Sequence, residues 1–280
     1  MKYGVTFARL RPQLWAETAE LCDALGYESV WLPEHLVLPV QQSGSPYAGA
    51  DHPPVRADAP VFDVFTMLAF FAGRTSQIRL GTNVYNIGLR HPFVTARAVA
   101  TLDVVSGGRV ELGVGASWLA EEWTAAGLDF GTRGGRVDEA LDVCRRLWSE
   151  PVIEHTGEHF TFARVAFEPK PVQVGGPPVS VGGDSKPALR RAALRGDGWL
   201  PMNTPVSGLA AARAEIEAIR RDAGRDGRFT VTVMGGAADP ADVDAYRSAG
   251  VDRLVVSPWR RSADAADGLR EFAATFTPTP

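Results

Sequence analysis

The segment Gly182-Gly183-Asp184-Ser185 joins a short apolar run, Val179–Val181, to a helical pattern that opens at Lys186. Paired glycines let a main chain approach a phosphate closely. Either Ser185 or Asp184 can cap the following helix, whose free N–H groups and dipole favour negative charge. Lys186, Arg190 and Arg191 add positive potential nearby. An ordinary capped turn would read the same way, so the segment alone is a weak anion-site signal.

A second group follows the apolar run Val30-Trp31-Leu32-Pro33, which ends in Glu34-His35. A histidine there can exchange a proton near neutral pH or donate to a bound ring. It can equally be structural, bonded to a main-chain carbonyl. Glu34 is either its orienting partner or a solvated carboxylate. Asn83-Val84 and Ala116-Ser117-Trp118 close two further apolar runs. Trp118 is either core or a wall that stacks on a planar ligand. His91, just before Pro92, reads as a helix cap. His52, with Asp51 and Asp58, reads as solvated or substrate-facing.

These run ends, with Met202-Asn203, Gly235-Gly236 and Ser257-Pro258, are rich in glycine and small polar groups. They contain no cluster of histidines and carboxylates to hold a metal and no convincing nucleophile–base pair. A site short of its own reactive groups points to an organic cofactor that carries the chemistry.

The elements that must position these residues alternate. Strand patterns at Lys2–Phe7, Ser29–Pro33, Ile78–Val84, Val110–Val114, Val179–Val181, Gly198–Pro201, Thr230–Met234 and Arg253–Ser257 are separated by helical ones, and Ala263–Phe276 supplies the last helix. Alternation of this kind implies a parallel sheet, and eight units favour closure into a (β/α)8 barrel, an α/β fold of the TIM type. An open doubly wound sheet is the alternative. In a barrel the chemistry sits at the C-terminal strand ends, where the residues above fall. Two segments exceed the minimal barrel. Leu36–Pro60 is a long proline-rich loop after the second strand, on the active-site face. Val152–Val174 reads as an inserted hairpin turning at Thr156-Gly157-Glu158. The expectation is one domain over residues 1–280.

Composition is that of a globular protein, 45% apolar and 22% charged with a net charge of −4. Nothing advertises a nucleic-acid partner. The apolar run Val61–Ala72 is too short to span a bilayer and strand character begins at Lys2, so the expected location is the cytoplasm. Cys22 and Cys144 fall on helical patterns and read as small buried side chains.

Taken as an ordered series, several landmarks resemble the luciferase-like flavin and deazaflavin oxidoreductases, in particular their coenzyme F420-dependent branch. They are Ser29–His35, Ile78–Val84, Arg90-His91-Pro92, Leu102-Asp103, Ser106–Arg109 and Gly113-Val114-Gly115. The series continues with Glu122-Trp123, Arg133-Gly134, Glu168–Pro171 and Gly196–Trp199. The match runs from about Gly4 to Pro201, with a degenerate tail beyond.

The resemblance implies a planar tricyclic ring lying across the strand ends, and a cis peptide at Asn83–Val84 that bulges against its face. It maps an acid–histidine pair onto Glu34-His35, although many relatives carry Asp at the first position. It maps phosphate contacts onto Gly182, Gly183 and Ser185, with Asp184 beside them. The ring is then expected across Glu34-His35, Asn83-Val84 and Ala116-Ser117-Trp118. Sugar-phosphate dehydrogenases of this group have a glutamate proton donor where this chain has Trp118, which argues against a sugar phosphate. Glu121 or Glu122 could supply a proton instead.

The expected activity is hydride transfer between coenzyme F420 and a small organic substrate under the Leu36–Pro60 loop. Arg190 and Arg191 suit the acidic tail of that cofactor. The alternatives are an FMN-dependent monooxygenase served by a separate reductase, and a non-catalytic flavin or deazaflavin carrier. A homodimer is expected, through the Val61–Ala72 helix and the helix after Pro92.

Overall fold

The structure, a computed structural model, describes residues 1–47, 50, 54–235 and 240–278. Asp51, His52 and Gly236 lie outside the described residues. Eight parallel strands close into a barrel: β1 (Lys2–Thr6), β2 (Ser29–Leu32), β3 (Arg79–Thr82), β4 (Val110–Val114), β7 (Val179–Gly182), β8 (Gly198–Leu200), β9 (Thr230–Met234) and β10 (Arg253–Val256). Around the barrel their order is β1-β10-β9-β8-β7-β4-β3-β2, so the first and last strands pair and no edge is left open. The fold is a (β/α)8 barrel. Each strand is buried on both faces, which is why it reads as a continuous apolar run.

The connecting helices are α1 (Trp15–Ala24), α2 (Val64–Ala72), α3 (Pro92–Ser106), α4 (Ala120–Ala125), α5 (Arg133–Ser149), α6 (Lys186–Arg195), α7 (Val206–Asp222), α8 (Pro240–Ser248) and α9 (Ala265–Phe276). Their starts follow local chemistry. Asp63 accepts from Thr66 N–H at 2.8 Å, so α2 begins at Val64 and not at Val61. His91 caps α3 through its Nδ1, which accepts from Phe93 N–H at 3.2 Å, and Pro92 occupies the first turn. β5 (Val152–Thr156) and β6 (Thr161–Ala166) pair antiparallel as the inserted hairpin. Glu139 of α5 holds its turn, accepting from His159 N–H and Phe160 N–H at 2.9 Å each.

The barrel interior is layered. At the N-terminal end Arg253 is buried between Glu28 and Glu111, donating to Glu28 Oε2 from Nε at 2.7 Å. Above it Trp31 fills the middle with Leu200 and Val255. A Cβ on Gly81 would come within 2.5 Å of the Trp31 ring, so only glycine leaves room for that indole. The C-terminal layer holds the site. Cys22 and Cys144 are buried in the surrounding helices, where burial pushes both thiols up. Among the described residues no helix is long and apolar enough to cross a membrane.

Candidate active site

The C-terminal strand ends open into one cavity of about 970 Å³, at the upper end of the ~300–1,000 Å³ typical of ligand sites. It is lined by Glu34, His35, Asn83, Val84, Ala116, Ser117, Trp118 and all four residues Gly182–Ser185. The candidates after β2, β3, β4 and β7, with Met202-Asn203, therefore meet the same space, whereas Gly235, Ser257 and Pro258 do not line it. Among the described residues no group of His, Cys, Asp and Glu is placed to hold a metal ion.

The floor is set by backbone geometry. β3 stops at Thr82, and one residue further on the Asn83–Val84 peptide bond is cis. Val84 leans across the mouth toward β4 and β7. Added Cβ atoms on Gly115 and Gly182 would lie 2.6 Å and 2.9 Å from its methyl groups. Glycine at both strand ends is what allows Val84 to sit there. Gly183 has φ +111°, a left-handed conformation that suits glycine. Its N–H donates to Leu200 O at 3.0 Å and its carbonyl accepts from Trp199 Nε1 at 2.8 Å, so β8 fixes the turn.

Ser185, and not Asp184, caps α6: its Oγ accepts from Ala188 N–H at 3.3 Å. Asp184 is turned to another task. It accepts from Asn203 N–H at 2.9 Å and from the Thr204 hydroxyl at 2.6 Å, binding the loop after β8. Arg191 lines the cavity but its charge is committed, since Nε donates to Asp138 Oδ1 at 2.6 Å. Lys186 and Arg190 remain exposed beside the α6 start.

Glu34 and His35 diverge. Glu34 is 6% exposed and pairs with Arg90, Nη2 to Oε1, at 2.5 Å; its Oε2 accepts from Asn86 N–H at 2.9 Å. Burial pushes its carboxyl up and the Arg90 guanidinium pulls back against that shift. His35 instead faces Glu122 of α4, with Nδ1 3.2 Å from Oε2. Glu122 is fully buried, and its Oε1 accepts from Leu36 N–H at 2.6 Å. The Trp118 ring stands edge-on to His35, centroids 6.2 Å apart. A carboxyl oxygen accepting at Nδ1 favours the tautomer with hydrogen there. The other ring nitrogen is then free to take a proton.

Glu34 is therefore neither solvated nor the partner of His35. The sequence landmarks contained both true partners, Arg90 and Glu122, but nothing local tied them to residues 34 and 35. Glu121 also has a different place: its Oε1 accepts from Ser43 N–H at 3.0 Å and anchors the long loop. That loop is pinned again where Asn203 Nδ2 donates to Pro46 O at 2.8 Å. A wall that sequence reasoning missed closes the cavity beside β1, formed by Leu10, Trp15, Val61, Phe62 and Met67.

Residues 8–276 match the family model for luciferase-like monooxygenases. An uncharacterized protein of Mycobacterium tuberculosis (strain ATCC 25618 / H37Rv) is 30% identical over 278 residues, covering 98% of both chains. A phthiodiolone/phenolphthiodiolone dimycocerosates ketoreductase of Mycobacterium kansasii is 29% identical over 226 residues, 78% of this chain and 61% of the relative. Among solved structures, an F420-dependent secondary alcohol dehydrogenase in complex with an F420-acetone adduct superposes with TM-score 0.80 at 18% identity, over 99% of this chain and 98% of that one. The oxygenating constituent of 3,6-diketocamphane monooxygenase from Pseudomonas putida, in complex with FMN, gives TM-score 0.65 at 19% identity, over 85% and 68%. The strand-end landmarks, the closed barrel and the match over nearly its whole length agree: the chain belongs to the luciferase-like monooxygenase family.

Proposed function

We propose that this family member is a coenzyme F420-dependent oxidoreductase that transfers a hydride between the deazaflavin and a small organic substrate. The observation that carries the reading is one cavity joining His35, the Val84 bulge and the capped Gly182–Ser185 turn. These residues fit the cofactor. The main chain of Gly182 and Gly183 and the Ser185 cap suit a phosphate at the start of α6, while Asp184 shapes the turn through residues 202–204. Asn83, Val84, Ala116, Ser117 and Trp118 offer a shelf for a planar ring. Bound there, a deazaflavin supplies a ring carbon that gives or takes a hydride without activating oxygen.

The chain's own part is proton handling and positioning. His35 moves a proton at Nε2 while Glu122 holds Nδ1. Glu34, neutralised by Arg90, fixes the turn that carries His35 and shapes the adjoining Asn86 loop. Exposed Lys186 and Arg190 suit an acidic cofactor tail, and the F420-dependent alcohol dehydrogenase shares the fold over nearly the whole chain. The FMN-bound monooxygenase constituent supports a second reading, in which FMN occupies the same shelf.

On this reading the chain is a single domain, works in the cytoplasm and forms a homodimer. Apolar side chains left open on α2 and α3, Phe70, Val94 and Val105, support the dimer. Turnover under anaerobic conditions tests the cofactor assignment. F420-linked conversion of a ketone and alcohol panel without oxygen is expected; oxygen uptake with reduced FMN, and no F420-linked conversion, would overturn it.

A further inference from the structure

The cavity has two unlike ends. Gly182–Ser185 lie at the end of β7, whereas Leu10 and Trp15 follow β1, and these two strands stand opposite each other in the eight-stranded order. Val84 after β3 and His35 after β2 lie between them. An anion seated at the β7 end therefore leaves the β1 end for something else.

That end is apolar. Trp15 and Phe62 meet edge to face with centroids 5.5 Å apart, and Leu10, Val61 and Met67 extend the wall. Val61 and Phe62, just before the Asp63 cap of α2, are each 41% exposed and line the cavity. Among the described lining residues from 8–15 and 54–67, the only charged side chain is Arg9, which is exposed. At the junction the carboxylate of Glu34 is matched by Arg90, so it offers no net charge to a ligand.

We infer that the β1 end takes the body of a neutral, largely apolar ketone or secondary alcohol whose oxygen meets His35, and that it discriminates against small anionic substrates such as sugar phosphates. This rests on the reading of the cavity as an oxidoreductase site. A buried anion there would meet no cation but the exposed, solvated Arg9, whereas each methylene laid on the Trp15–Phe62 wall leaves water. His35 supplies the one polar contact that the head needs.

The test is binding of unbranched 2-alkanones, butanone to decanone, to the full chain loaded with oxidised F420, where no hydride is available and binding is read alone. Calorimetry is expected to show affinity rising about fourfold per methylene until the arm is filled. Phe62→Ser, at a partly exposed position, lowers decanone affinity about tenfold and leaves butanone within about twofold. Glycerol 3-phosphate and 2-oxobutyrate bind more weakly than butanone. A flat alkanone series, tighter binding of either anion, or an unchanged chain-length slope in Phe62→Ser overturns the inference. The same series on the chain without cofactor, or loaded with FMN, keeps its slope if only the cofactor assignment is wrong.

Discussion

Glu122 Oε2 lies 3.2 Å from His35 Nδ1, and the same carboxylate accepts the N–H of Leu36, the first residue of the long loop. One fully buried acid thus orients the candidate proton-transfer group and sets where the loop departs. Glu122→Gln replaces an acceptor with an amide that can donate to Nδ1, and so favours hydrogen on Nε2 instead. Turnover should fall about 10²-fold, within the range of general acid–base effects. His35→Asn should cost at least as much, and the double variant little more than His35→Asn alone, because both act through one imidazole. Additive losses would show that Glu122 acts independently. Imidazole NMR of the unliganded protein should report the tautomer change directly.

Val84 occupies space that only glycines at 115 and 182 provide. Gly115→Ala places a Cβ 2.6 Å from a Val84 methyl and should destabilise the chain by about 1–3 kcal/mol, with loss of cofactor affinity. Adding Val84→Ala removes the clash and should restore thermal stability but not cofactor affinity, since the shelf is gone. Thermal melts and cofactor titrations on the three variants check this.

Among the described residues the long loop is anchored at its rim by Leu36 and Val37 on Glu122, by Ser43 on Glu121 and by Pro46 on Asn203. None of them is made by the Gly182–Ser185 turn. Shortening the loop between its first and last anchors should therefore change substrate selectivity well before it changes cofactor affinity. Equal loss of both in parallel titrations would refute that division of labour.

At the opposite end of the barrel, burial alone would raise the Glu28 carboxyl, but the Arg253 guanidinium and its hydrogen bonds hold it down at about 2. A carboxyl whose folded value is depressed stabilises the fold above its unfolded value of about 4.5, and that contribution is lost as pH falls toward 2. Denaturant midpoints measured from pH 5 down to pH 2 should decline across that window. Arg253→Met leaves Glu28 with only the half-exposed Lys2 and Glu111 with only Arg79 as cationic partners. It should cost up to about 3–5 kcal/mol at pH 7 and shrink the acid-dependent part of the decline.

The strands were readable because burial on both faces writes each one as a short apolar run between turn residues. Residues at their C-terminal ends, such as His35, Val84 and Ser185, could then be assigned to one face of the barrel before any contact was known. Pairings across that face were not readable. Arg90 stands 56 residues from Glu34, and Glu122 stands 87 residues from His35. Only the lateral pairing of β2 with β3 and of β3 with β4 brings them together. Glu122 also rides on α4, a helix of six residues and too short to show a clear period. Asp184 reads as part of a candidate anion site because it follows the Gly182-Gly183 pair; in the fold it lines the cavity and its carboxylate accepts from N–H donors in the loop after β8. The Trp15–Phe62 wall joins two segments distant in sequence, one of which, Val61–Ala72, reads as a dimer face.

The central claim is the identity of the ring that lies on the Asn83–Val84 shelf. Side-by-side titration of the purified apoprotein with coenzyme F420 and FMN, followed through tryptophan fluorescence, tests it most directly, because Trp15 and Trp118 both line the cavity. Micromolar or tighter binding of F420, with FMN clearly weaker, is the predicted result. Preference for FMN, or quenching by neither, would contradict the account.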